Sequence, residues 1–175
     1  MERPKNSLKI LLNEVFYRML DKLKIYKSPL FLVYGHIFNC IKLSENISEP
    51  LKLDITDVFE DNDYINARFN LSLLTIEIAY QLCSDEFESL TFNQMYALLG
   101  HEFSHYYYKD IISDFQIESR ADKHCFQILS NLKIPPNSLY ELHLRRYKLL
   151  TMNNKIITDD FYNRLQQAKR FAEIV

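Results

Sequence analysis

The chain has 175 residues, of which 47% are hydrophobic and 25% charged, a balance that excludes an intrinsically disordered chain and supplies enough apolar surface for a real core. A formal charge of -2 gives no basic field for a nucleic-acid backbone, and no Lys/Arg run interleaved with aromatics supplies one locally. The three cysteines, Cys40, Cys83 and Cys125, are odd in number and lack C-x-x-C spacing, which suits reduced core thiols in a cytosolic protein better than a disulfide framework.

Ser7 to Lys24 carries apolar residues at Leu8, Leu11, Leu12, Val15, Met19 and Leu23, a stripe that predicts a core-facing helix. Glu14 and Arg18 interrupt what would be the apolar heart of a signal peptide. Ser28 to Ile41, uncharged apart from its histidine, is shorter than the roughly 20 residues a bilayer span needs. The expectation is a soluble, unexported, cytoplasmic protein. Leu30 to Tyr34 is dense in strand-forming residues and ends at Gly35, so a short strand is expected there, with residues 36 to 43 continuing as a second strand or a turn. Ser44 to Pro50 follows as a polar loop, Leu51 to Thr56 alternates like a strand, and Glu60 to Asp63 makes a turn. Leu73 to Tyr80 predicts another strand, with Leu74, Ile76 and Ile78 on one face and Thr75, Glu77 and Ala79 on the other. Its half-polar character suggests a sheet edge, either a plain solvent-facing strand or a surface that takes an extended peptide by main-chain pairing.

Leu90 to Tyr108 is the stretch around which the chain is organised. Thr91 and Gln94 form a T-x-x-Q capping box, and Leu90 and Met95 can close a hydrophobic staple around it. Glu102 is the only charged residue from Thr91 to Tyr108, so this helix is expected to be buried, and a lone carboxylate beside His101 and His105 then needs a cation. The spacing HExxH has a mechanism behind it. Histidines at i and i+4 stand one above the other and can each give a ring nitrogen to one zinc ion, while Glu102, about 100° around the helix, can take a proton from a water at the metal.

A quick turn at Lys109 to Ile112 leads to a second helix, with Ser113 and Gln116 as a further capping box. Its buried arc takes in Ile117, Ala121, Cys125, Ile128 and Leu132 beside Phe115, Phe126 and Leu129. Glu118 and Asp122 fall inside that arc and require compensation. In an αα-hairpin His105 and Glu118 lie at similar heights, so Glu118 is the expected third metal ligand. Asp122, one turn further, is placed to accept the other ring N–H of a ligand histidine. Pro135 and Pro136 end this helix, Ser138 with Glu141 caps a third from Leu139 to Met152, and Thr158, Asp159 and Asp160 start a last one. In the third helix His143, Arg145, Arg146 and Tyr147 either face the site as transition-state donors or form an ordinary polar face; Tyr106, Tyr107 and Tyr108 are further candidates for a helper group.

Asn66–Ala67, the Ile-containing strand, LTFNQMYALLGHEFSH, ESRAD at 118–122, IPP and finally Arg164–Leu165 together resemble the soluble catalytic core of HtpX-like and CAAX-prenyl-type zinc endopeptidases. Those belong to the gluzincins, whose very small soluble members are the minigluzincins. The resemblance spans roughly residues 64 to 166 and rests chiefly on HExxH joined to a Glu-x-x-Ala-Asp helix. It implies His101, His105 and Glu118 as zinc ligands, Glu102 as general base, Asp122 as the residue behind a ligand, and the strand carrying Leu74, Ile76 and Ile78 as the substrate strand. The spacing from His105 to Glu118 is short for the family, and the His-Pro that often precedes the late arginine is absent before Arg164, so no oxyanion donor is assigned.

The expectation is a single α+β, zincin-like domain over 1–175, with an N-terminal helix and sheet in 1–80 and the active-site, glutamate and C-terminal helices in 90–175. It would bind one Zn²⁺ and hydrolyse a peptide or protein through an activated water. Two rivals stand beside it: a self-blocked zymogen or binding domain that keeps the metal site, plugged by its own tail or by self-association, and a non-enzymatic helical interaction domain with core histidines.

Overall fold

The structure, a computed structural model, describes residues 24–56, 66–83, 89–110 and 114–173. The N-terminal helix expected from Ser7, apart from Lys24 at its end, and the turn at 60–63 lie outside these residues.

The first complete element corrects the sequence reading. Residues 30–34 are not a strand but belong to helix α1, Pro29–Ser44. Ser28 stays extended and its Oγ accepts from Phe31 N–H at 3.1 Å, while Pro29 sits in the first turn, where no N–H is required. The buried residues Tyr34, Ile37, Phe38 and Ile41 recur at helical spacing, and that longer period prevails over the local strand preference of Leu30 to Tyr34.

Three short strands follow: β1 Lys52–Thr56, β2 Ala67–Asn70 and β3 Thr75–Ala79. Their order is β1-β3-β2, with β1 parallel and β2 antiparallel to β3. The expected strand at 73–80 therefore exists, but it is the centre of the sheet, not an edge. All five of its residues are buried, and its polar face is covered because Glu77 pairs in register with Arg68, whose Nε lies 2.5 Å from the carboxylate. Ile76 and Ile78 have no exposed surface. They are core residues, and the substrate role implied for Leu74, Ile76 and Ile78 does not survive, since both sides of β3 are already paired. Leu74 closes the β2–β3 turn at a φ of 47°.

A 3₁₀ turn, Tyr80–Cys83, leads toward helix α2, Phe92–Tyr108. The predicted capping box is present in both directions: Gln94 N–H donates to Thr91 Oγ1 at 3.3 Å, and Thr91 N–H to Gln94 Oε1 at 3.0 Å. Helix α3, Phe115–Asn131, is capped by Asp114, whose side chain accepts from Ile117 N–H at 2.9 Å; the expected cap at Ser113 lies outside the described residues. Helix α4, Asn137–Met152, starts after Pro136 without a side-chain cap. There Ser138 Oγ donates to Pro135 O and Glu141 accepts from Asn137 instead. Helix α5, Asp159–Glu173, starts as expected, with Thr158 Oγ1 accepting from Phe161 N–H at 3.2 Å.

The chain is thus α+β, a small mixed sheet with a mainly helical second half. No helix among the described residues is long and apolar enough to cross a membrane. Helices α2 and α3 run antiparallel: Cys125 Sγ meets Ala97 O at 3.3 Å, while His101, further along α2, reaches back to Asp122 and Glu118. At their crossing is Gly100, where a Cβ would come within 3.1 Å of Cys125 Sγ and 3.8 Å of Ile128 Cγ2. The missing side chain lets the two backbones approach, and the close crossing brings His101 against α3.

Candidate metal centre

One side of α2 is core, with Leu99 and Phe103 fully enclosed, and this fixes the roll of the helix. The same roll turns His101, Glu102 and His105 toward α3 and α5. His101 Nε2 lies 3.0 Å from His105 Nε2 and 3.2 Å from Glu118 Oε2, and His105 Nε2 lies 3.5 Å from Glu118 Oε1. Among the described residues these three form the group that could hold a metal ion. A tetrahedral centre with zinc–ligand bonds of about 2.0–2.1 Å has edges of about 3.3 Å. The donor set therefore fits, in chemistry and in spacing, an ion at its middle.

Behind the donors stands a layer of charge. His101 Nδ1 lies 2.9 Å from Asp122 Oδ1 in a bent contact. Asp122 is fully buried, and it is gripped by Arg164, Nε to Oδ2 at 2.8 Å and a terminal nitrogen to Oδ1 at 3.0 Å. His143 Nε2 approaches the same carboxylate at 3.2 Å. Arg164 also reaches Glu118 Oε2 at 2.6 Å. Burial opposes the charged form of His101, yet Asp122 and Glu118 outweigh it and push its pKa up to about 9. Burial would raise the Asp122 carboxyl, but His143, Arg164 and His101 hold it well below the usual carboxylate range. Glu102 is buried beside them and its charge is felt at Arg164 and at Cys125.

The residues that the sequence singles out fall into two sets. His101, His105 and Glu118 come together, Asp122 stands behind His101, and Glu102 occupies the next position on the same helix. The candidate helper groups with contacts among the described residues meet other partners or stand behind the donors. His143 serves Asp122, Arg145 donates to Ser89 O and Gln94, and Arg146 lies over the Phe161 ring. Tyr106 donates to Glu49 at 2.7 Å, while Tyr107 and Tyr108 pack around His124. Two contributors escape sequence reasoning. Arg164 enters there only through a family match, and Asp110, whose Oδ2 lies 3.0 Å from His105 Nδ1, not at all. The available signal for Asp110 is an acid placed just after the helix that carries the histidines.

Compared with known proteins, the chain matches no family model, no curated protein and no solved structure.

Proposed function

We propose that the chain is a zincin-like, zinc-dependent endopeptidase of gluzincin type. One observation carries the reading: two Nε2 atoms and a carboxylate converge at separations of 3.0, 3.2 and 3.5 Å, with a buried glutamate next to the first histidine. When bound, zinc supplies a Lewis acid for the scissile carbonyl and acidifies the attacking water. Glu102 takes a proton from that water as its oxygen adds to the carbonyl carbon, then delivers the proton to the departing amine as the C–N bond breaks. His101, His105 and Glu118 would hold the ion, and Asp122 with Arg164 keeps His101 and Glu118 in place.

The substrate strand in this reading is β2, not β3. Among the described residues it is an edge of the sheet, it begins at Ala67, and it packs on α2 where Phe69 meets Tyr106 edge to face at 5.6 Å. A peptide adding to this edge gains main-chain hydrogen bonds beside the active-site helix. A cytoplasmic setting accords with three free cysteines.

The experiment is hydrolysis of an unfolded protein substrate by the zinc-loaded chain and by Glu102→Gln. The variant should keep its zinc and lose about 10²–10⁴-fold in rate; equal rates would remove Glu102 from the chemistry. A second reading, a latent or binding domain with the same site, is favoured by the 2.6 Å contact of Arg164 with Glu118 Oε2, which already occupies a ligand oxygen. It predicts a zinc-loaded parent whose cleavage appears only on dilution or after trimming within residues 153–175.

A further inference from the structure

Both histidines of the cluster turn Nε2 inward, so the group at Nδ1 decides which tautomer each ring adopts. For His101 the nearest such group is Asp122, in the bent contact at 2.9 Å. For His105 it is Asp110, at 3.0 Å.

Asp110 reaches the ring through local backbone geometry. Lys109 takes the left-handed conformation, φ 55° and ψ 43°, and reverses the chain at the end of α2. Asp110 N–H then donates to His105 O at 3.0 Å, so backbone and side chain of Asp110 close on the same residue. Its second oxygen accepts from Arg120 on α3, whose guanidinium lies over the Tyr108 ring at 4.2 Å. The Asp110 side chain is only 6% exposed, unlike a solvated loop acid. Imidazole, carboxylate and guanidinium thus form a chain from the site to the far side of the hairpin.

We propose that Asp110 is a positioning residue for His105: it accepts the Nδ1 proton and keeps the Nε2 lone pair directed at the ion, with Arg120 holding the carboxylate. The inference rests on the proposal that His101, His105 and Glu118 bind zinc. Without the acceptor, the His105 ring is free to turn or to carry its proton on Nε2, and a protonated nitrogen cannot bind a metal.

The test is the zinc affinity of the full chain, measured by competition with a chromophoric chelator, for the parent, Asp110→Ala, Asp110→Asn and Glu118→Ala. Thermal unfolding without metal is recorded alongside. Asp110→Ala should bind zinc about 10–100-fold more weakly, and Asp110→Asn, whose amide oxygen can still accept, should lose less but more than twofold. Long-range ¹⁵N–¹H correlation of His105 in the metal-free protein should show the Nδ1–H form in the parent and its loss in Asp110→Ala, a change that a merely structural role would not produce. Affinities for both variants within twofold of the parent overturn the inference. If the alanine variant does not fold, Asp110→Asn decides by the same margin. A parent that takes no zinc from the chelator instead sinks the metal reading, so the two failures are distinguishable.

Discussion

Arg164 grips the fully buried Asp122 with two nitrogens, at 2.8 and 3.0 Å, from a helix that lies 42 residues further along the chain. The same guanidinium touches Glu118. Burial of Arg164 opposes its charge, but Asp122, Glu118 and Glu102 outweigh that and raise its pKa. Helix α5 is therefore tied to the cluster through one cation, and the carboxylates stay compensated in the fold without help from a metal.

Removing that cation leaves a buried carboxylate without its forked partner, and breaking a buried pair costs about 3–5 kcal/mol. Arg164→Ala should lose stability in that range in urea unfolding of the metal-free protein. Arg164→Lys should recover little, because an ammonium cannot make the forked contact. A loss under about 1 kcal/mol, the value of an exposed pair, would show that His101 and His143 suffice for Asp122.

Gly100 supports the site from a different direction. Gly100→Ala pushes a methyl toward Cys125 Sγ and should cost about 1–3 kcal/mol, with weaker zinc binding as His101 is displaced. Cys125→Ala opens the space, so the double variant should be more stable than the sum of the single losses allows. Strict additivity in denaturant midpoints would mean that the two residues do not compete for one volume.

His124 supplies a pH signature. It packs between Tyr107 and Tyr108 of α2, with Glu45 at the end of α1 3.7 Å away. Burial lowers its pKa below 6.5, and Glu45 only partly opposes this. The unfolded chain then binds more protons than the folded one, so the stability associated with neutral His124 is present above 6.5 and is lost as the pH falls. His143, also pushed down by burial, acts in the same sense. The raised His101 acts oppositely: its contribution is complete below 6.5 and fades as the pH rises toward 9. His124→Gln should therefore flatten, without abolishing, the fall in stability below pH 6.5. An unchanged slope in denaturation series would assign that fall to other groups.

The position of β3 makes a prediction of its own. Ile78→Ala, at a fully buried central position, should cost about 2–5 kcal/mol. With β2 as the substrate strand, Phe69→Ala weakens peptide binding, read as a rise in KM with little change in kcat. The opposite split would return the substrate to another face of the sheet.

What the sequence reveals and what it hides divide along one physical line. The capping box that starts α2, the HExxH face, and Glu118 and Asp122 on α3 are legible because each depends on periodicity within a helix and on one short turn. Leu30 to Tyr34 misleads because five residues cannot distinguish a buried helix face from a strand; the repeat through Ile41 settles it. The rank of β3 in the sheet is invisible because pairing is non-local: β1 and β2 must both be placed before the centre is known. Asp110 depends on one left-handed residue, Lys109, and Arg164 on the docking of a distant helix. Neither leaves a local pattern.

The most direct measurement is the zinc content of the purified full chain, by elemental analysis after equilibration with zinc and removal of excess, beside Glu118→Ala. A His₂Glu centre predicts about one zinc per parent chain and loss of most of it in the variant, with helical content retained in both. Zinc-free parent protein, or equal zinc in parent and variant, would contradict it.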